Sequence, residues 1–183
     1  MYKRHHTNFL KQLEQIVEPA DLLTDPNDCL TYGYDNSRRQ AQPLAVVFPR
    51  NESQVVAIVK ACNQYQIPLI ARGRGTGTTG ATVPLQHELI ISFERMNQIL
   101  KMDADNRCMY VQPGVTNQQV QDCAGTHGFF WAPDPTSAAF CSVGGNLAYN
   151  PAGPRAVKYG SCRENTLGLR AVSGNGELIQ CGV

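Results

Sequence analysis

The sequence predicts an α+β fold, and three observations carry that expectation. An apolar strand, an amphipathic helix and a second strand follow one another between residues 44 and 71. A glycine-rich segment, "GRGTGTTG", comes directly after the second strand. Two later stretches, near 98–112 and 167–181, alternate and turn as β-hairpins do.

The bulk numbers bound the possibilities. A chain of 183 residues suffices for one full domain or for two small lobes sharing a nucleotide cleft. Hydrophobic residues make up 42% and charged residues 17%, which supports a buried core. A net charge of +1 argues against nucleic acid or an anionic membrane as main partner. The seven cysteines are odd in number and none is spaced C-x-x-C, so neither a disulfide framework nor a zinc site is expected, and a reducing cytoplasm fits. Lys3 and Arg4 precede no continuous apolar run, and no stretch nears the roughly 18 apolar residues of a membrane span. The expectation is a cytoplasmic protein with no direct membrane insertion.

Taken in order, Phe9, Leu10, Leu13, Ile16 and Val17 repeat at helical spacing, so residues 7–18 read as an amphipathic helix ended by Pro19. Residues 24–43 are polar and turn-rich and read as an irregular lead-in. Residues 44–48 form a short apolar strand stopped by Pro49. Asn51 offers an N-cap with Gln54 as its capping-box partner, and Val55, Ile58, Val59, Cys62 and Tyr65 share one helical face. Residues 67–71 are the next strand, completing a βαβ unit at the glycine loop. Residues 89–91 read as a buried strand, and 98–102 with 108–112 as a hairpin. Thr116 caps a helix running to about Thr126. Residues 128–163 are too rich in glycine and proline for regular structure, and a final hairpin turns at Gly174-Asn175-Gly176.

Gly75 to Gly80 spells G-x-G-x-x-G, the letters of a dinucleotide fingerprint. The context argues against a nicotinamide Rossmann site. Pro84 would break a helix starting inside the motif, and the next strand ends in Ser92 rather than an acid. No lysine follows the last glycine, which removes the Walker A reading. The loop still suits phosphate. Glycines let the backbone approach a ligand, and successive N–H groups can converge on an anion as a nest. Thr76, Thr78 and Thr79 add hydroxyls, and Arg72 and Arg74 add charge.

A second constellation lies at residues 132–160. Pro133 and Pro135 stiffen an extended stretch; Thr136, Ser137 and Ser142 supply hydroxyls; Gly144, Gly145 and Asn146 offer backbone approach beside an amide. A flavin needs an apolar wall, hydroxyl and amide partners and an anion nest, and the two segments together offer all three.

At this point the sequence resembles a known family. The pair R-G-x-G-T-G-x-x-G and P-D-P-T-S…C-S-x-G-G-N…K-Y-G, with "LTDPNDCLTYGYD", "PLAVVFPRNESQVVAIV", "VQPGV" and "RENTLGLRAV" in the same order, is similar to the FAD-linked oxidases related to vanillyl-alcohol oxidase and para-cresol methylhydroxylase. Within that family it most resembles the FAD subunit of bacterial glycolate oxidase and D-lactate dehydrogenases of that type. The resemblance implies a PCMH-type FAD-binding domain of two small α/β lobes over 23–183, truncated before its last strands, with residues 1–22 as an N-terminal helical extension. It implies that Gly73, Gly75, Thr76 and Gly77 hold the FAD diphosphate, with Arg72 and Thr78 beside them, and that Gly80 permits the exit turn. Pro133 and Asp134 would lie along the cofactor. Thr136, Ser142, Gly144, Gly145 and Asn146 would line its polyol and phosphates, and Tyr159 and Gly160 would shape the site. The loop lacks histidine, so non-covalent FAD is expected.

The implied chemistry is oxidation of a 2-hydroxy acid to a 2-oxo acid. Related proteins are more than twice as long and carry their substrate-binding groups in a later cap domain, so no residue here is expected to be catalytic. His5, His6, His87 and His127 match no metal spacing, and no metal is expected. Two explanations stay open: an excised piece of a longer enzyme, or a naturally short product. The implied partners are FAD, electron-transfer subunits or a missing C-terminal domain. The alternative is a non-catalytic fragment that holds FAD weakly or not at all, with exposed apolar surface favouring a homodimer.

Overall fold

The computed structural model describes residues 2–85 and 87–182. Its first lobe runs α1 (Tyr2–Leu13), a 3-10 turn (Pro19–Asp21), β1 (Leu22–Leu23), α2 (Pro26–Leu30), β2 (Ala45–Val47), α3 (Glu52–Tyr65), β3 (Leu69–Arg72) and β4 (Leu89–Ser92). The sheet order is β1-β2-β4-β3. β2 and β3 both pair in parallel with β4, which lies between them, and β1 closes the edge antiparallel to β2. The expected βαβ unit is therefore present with a third strand inserted.

Strand alternation divides the core between two faces. Ala45, Val47, Leu89 and Ile91 meet Phe9, Leu13, Ile58 and Cys62 from α1 and α3. Val46, Phe48 and Ile90 turn the other way, onto Cys29, Tyr32 and Ile70. Phe9 and Leu13 are fully buried, so α1 is part of the core that supports the sheet. It ends earlier than its apolar spacing predicts, because Gln15 and Ile16 donate to the carbonyls of Gln12 and Leu13, tightening the last turn.

Asn51 caps α3 by accepting from the Gln54 N–H at 2.9 Å, but the reciprocal Gln54 carbonyl reaches the Arg50 N–H at 2.8 Å. Fully buried Asp21 receives both Arg50 and Arg95, which pins the sheet edge to the segment after β4. Ile90 is fully buried at the centre of the sheet. We expect Ile90→Ala to cost about 3 kcal/mol in a urea titration, by lost transfer energy and a residual cavity.

The second lobe holds the hairpin β5 (Ile99–Asp103) and β6 (Cys108–Val111), then α4 (Asn117–Thr126), α5 (Val143–Tyr149), α6 (Ala156–Tyr159) and the hairpin β7 (Gly168–Val172) and β8 (Leu178–Gly182). Thr116 and Gln119 form a complete capping box on α4. Two expectations need correction. Residues 24–43 contain α2 and a Tyr34–Gln40 β-bridge, and residues 128–163 contain α5 and α6. The glycines of α5 are poor helix formers, and Ser142 as N-cap starts the helix regardless. Among the described residues, no helix is long and apolar enough to cross a membrane.

Burial pushes the Cys62 thiol up to about 12 and those of Cys29 and Cys162 up to about 11. These three behave as small buried hydrophobes rather than nucleophiles.

Candidate functional site

β3 delivers the chain to the glycine loop at Arg72, beside the carboxyl end of β4. The loop then passes under the N-terminus of α5. A Cβ on Gly73 would collide with Ser142 Oγ and stand 3.8 Å from Gly145 Cα. The two segments singled out in the sequence, nearly 70 residues apart, are thus in contact, and glycine at 73 is what permits the approach. Gly75 has φ +65°, and a Cβ there would stand 2.7 Å from Arg72 Cζ. Gly77 is roomier: its Cβ would lie 3.7 Å from the Tyr149 ring, an ordinary contact.

Arg72 is buried and does not face outward. Its Nη1 donates to the Tyr34 carbonyl at 2.7 Å and to Thr82 Oγ1 at 3.3 Å, and its guanidinium lies against the rings of Tyr32 and Tyr34. Burial draws its pKa below the usual arginine value, opposed by the nearby Tyr34, Glu94, Tyr32 and Asp35. Arg74 is exposed and pairs with Glu94 at 3.3 Å. Glu94 also accepts from the Tyr32 and Ser92 hydroxyls. Burial, then that hydrogen bond, push the Tyr32 phenol up. Thr78 and Thr79 are exposed at the loop tip, where the hydroxyls of Thr79 and Thr78 lower the Tyr149 phenol.

The facing segment is built on one buried side chain that sequence reasoning passed over. Asn117 Oδ1 accepts from Trp131 Nε1 at 2.9 Å and Asn146 Nδ2 at 3.2 Å, while its Nδ2 donates to the Pro133 carbonyl at 3.2 Å. It thereby ties α4, the extended Trp131–Pro133 stretch and α5 together. Ser142 is buried, caps α5 and accepts from the Gly145 N–H at 3.3 Å. The Gly144 N–H donates to the Pro113 carbonyl, and its missing Cβ lets Pro113 close in. Asn146 points inward, so it holds the segment together through Asn117.

The other candidates sit along the flank. Pro133 is buried; Asp134 pairs with Arg155 at 3.4 Å, and its carbonyl packs against Gly153. Thr136 is exposed. Tyr159 stacks edge-on against Phe130 at 5.2 Å, and Gly160 packs against Glu164 with φ +81°. Besides Asn117, sequence reasoning assigned no role to Asp35 or Tyr149. Asp35 lies in the quoted "LTYGYD" stretch; its signal was an acidic residue followed by Asn and Ser, the chemistry of turns.

The chemistry of this surface suits a dinucleotide diphosphate. Among the described residues, the amides of Gly75, Thr76 and Gly77 donate no hydrogen bond. Backbone donors left unbonded on a glycine-rich loop are available to an anion, with three threonine hydroxyls in the same loop.

Comparison with known proteins agrees with that surface. Residues 43–182 match a family model described as an FAD binding domain. The glycolate oxidase subunit GlcD of Bacillus subtilis is 36% identical over 173 residues, covering 94% of this chain and 37% of that protein. A D-2-hydroxyglutarate dehydrogenase of Stutzerimonas stutzeri is 36% identical, covering 93% of this chain and 37% of that protein. A D-lactate dehydrogenase of Archaeoglobus fulgidus is 38% identical, covering 96% and 39% respectively. This chain therefore spans well under half the length of these relatives. Among solved structures, p-cresol methylhydroxylase superposes with a TM-score of 0.80 at 25% identity, covering 96% of this chain and 35% of that one. An alkyldihydroxyacetonephosphate synthase superposes with a TM-score of 0.87 at 23% identity, which establishes the shared fold. The glycine loop, the hydroxyl-rich segment that meets it and the match over 43–182 lead to one conclusion: this chain belongs to the FAD-binding domain family of the FAD-linked oxidoreductases, with FAD as its cofactor.

Proposed function

We propose that this chain is the FAD-binding portion of a 2-hydroxy acid dehydrogenase of the glycolate, D-lactate or D-2-hydroxyglutarate type. The observation that carries the reading is the contact of Gly73 with Ser142 and Gly145, which makes one surface of the two ligand-binding segments. In this reading the amides from Gly75 to Gly77 bind the diphosphate, Thr76 and Thr78 add hydroxyl contacts, and the Pro133–Asp134 stretch forms a wall along the cofactor. Gly73, Gly145 and Gly80 serve by what they lack, letting backbone run close. Bound FAD supplies two-electron acceptance, by which a 2-hydroxy acid becomes a 2-oxo acid. This chain's residues bind and orient; none of them is assigned to take the substrate's proton. We place the protein in the cytoplasm, with FAD bound non-covalently and partner subunits or a further domain completing the enzyme.

The test has two parts. Purified chain titrated with FAD is expected to quench flavin fluorescence and shift the visible flavin band; an unchanged spectrum at saturating FAD overturns the reading. The same protein is expected not to reduce a dye with glycolate, D-lactate or D-2-hydroxyglutarate, and turnover by the chain alone would show that it holds its own substrate groups.

A second reading has one observation in its favour. The β7–β8 hairpin exposes Leu169 and Ile179 on one face and Leu178 on the other, Leu167 just before it is exposed too, and every described residue of β8 is exposed. A fragment that retains no FAD and pairs with itself through this hairpin is the alternative. Sedimentation of the FAD-free protein as a concentration-dependent dimer would support it.

A further inference from the structure

The glycine loop has a backing that the cofactor reading does not explain. Residues 34–37, roughly 40 positions earlier in the chain, run along its far side. The Asn36 N–H donates to the Gly77 carbonyl at 2.9 Å. Asp35 is almost fully buried; its Oδ2 accepts from the Gly80 N–H at 2.9 Å and its Oδ1 from the Ser37 N–H at 2.8 Å. Arg72 reaches the Tyr34 carbonyl from the start of the loop. The loop is fastened at its beginning, middle and end by three consecutive residues of one segment.

An acid set against a loop proposed to bind an anion needs a reason. The amides that face a ligand cannot also hold the loop together, so the loop must be fixed through its carbonyls and through an amide outside the nest. The segment 34–37 does this: it takes the Thr76 and Gly77 carbonyls and the Gly80 amide and leaves the Gly75 to Gly77 amides unbonded. A carboxylate suits the position because it accepts two amides at once. It also sets its charge against Arg72, whose own donors point at Tyr34 and Thr82. Neither charge then has to act on the ligand directly.

We propose that Asp35 is a positioning residue that closes the exit of the glycine loop and presets the Gly75–Gly77 amides for the diphosphate. The ligand part of this inference rests on the FAD reading above; the loop part rests on the hydrogen bonds alone. Preordering lowers the entropy lost on binding, so its removal weakens affinity without removing any group that touches FAD.

The test uses the full chain as wild type, Asp35→Ala and the isosteric Asp35→Asn, which keeps the shape but presents one N–H₂ to an N–H. Amide hydrogen exchange is read without FAD, and FAD affinity by fluorescence quenching. Exchange at Gly80 and Ser37 is expected to rise about tenfold or more in both variants, with β4 amides unchanged, and the FAD dissociation constant to rise about tenfold. Unchanged Gly80 exchange overturns the positioning role whatever FAD does. Faster exchange with unaltered FAD affinity overturns the presetting. A wild type that takes up no FAD overturns the function proposed above, and presetting for the diphosphate falls with it.

Discussion

Gly75→Val is expected to abolish FAD uptake at concentrations that saturate the wild type, with a loss of about a hundredfold or more in affinity. Gly75 stands at φ +65°, where a non-glycine residue costs about 1–2 kcal/mol and a β-branched one is a true outlier. The new side chain also meets the Arg72 guanidinium, 2.7 Å from Cζ. An arginine end in solvent would swing aside. Arg72 is buried, bonded to the Tyr34 carbonyl and Thr82, and flanked by two tyrosine rings, so moving it breaks a charged hydrogen bond worth about 1.5–3 kcal/mol. Together these come to about 2.5–5 kcal/mol, or two orders of magnitude or more in binding. Arg74→Ala serves as the contrast. Arg74 is exposed and its ion pair with Glu94 is worth under about 1 kcal/mol, so affinity should change by no more than about fivefold. Equal losses in the two variants would mean that the backbone is not the anchor. Sequence reasoning would treat Gly77 like Gly75; the structure separates them, because alanine fits at Gly77 against Tyr149.

Asn117→Ala is expected to lower the stability of the protein by about 3 kcal/mol and to loosen the second half of the site. Three partners lose their mate: the Trp131 indole N–H, the Asn146 amide and the Pro133 carbonyl. Asn117, Asn146 and Pro133 are buried, so water does not readily replace the bonds. Thermal unfolding should fall by about 6–12 °C for a chain of this size. Gln118→Ala, on the exposed face of the same helix, should stay within about 0.5 kcal/mol of wild type. A small effect at Asn117 would show that the segment is held by its prolines and glycines instead.

The pH response of the loop follows from Asp35. Burial works against its charge, but the Ser37 and Gly80 hydrogen bonds and nearby Arg72 outweigh it, holding the carboxyl below its ordinary value. Its contribution is therefore fully present above that ordinary value and is lost only as pH falls through the lowered one.

Local rules were legible from the residues alone. Asn51 and Thr116 announced their helices through capping chemistry, the apolar runs at 45–47 and 89–91 became buried strands, and Gly174-Asn175-Gly176 turned a hairpin. The composition of the glycine loop announced close backbone approach, which Gly73 against Ser142 bears out. Where Gly144 and Gly145 argued against helix, α5 formed anyway, because a Ser142 cap and burial of Asn146 outweigh a weak propensity.

What the chain order cannot express is which distant residues meet. Periodicity encodes a face but not its partner, so the placement of β4 between β2 and β3 was decided only in three dimensions. The same holds for Gly73 under Ser142 and for Asp35 behind Gly80. Each of these contacts joins segments tens of residues apart, and each depends on burial and hydrogen-bond satisfaction summed over the whole packed lobe. The two segments that meet were thus readable from the sequence, while the contacts that join them and the support behind the loop were not.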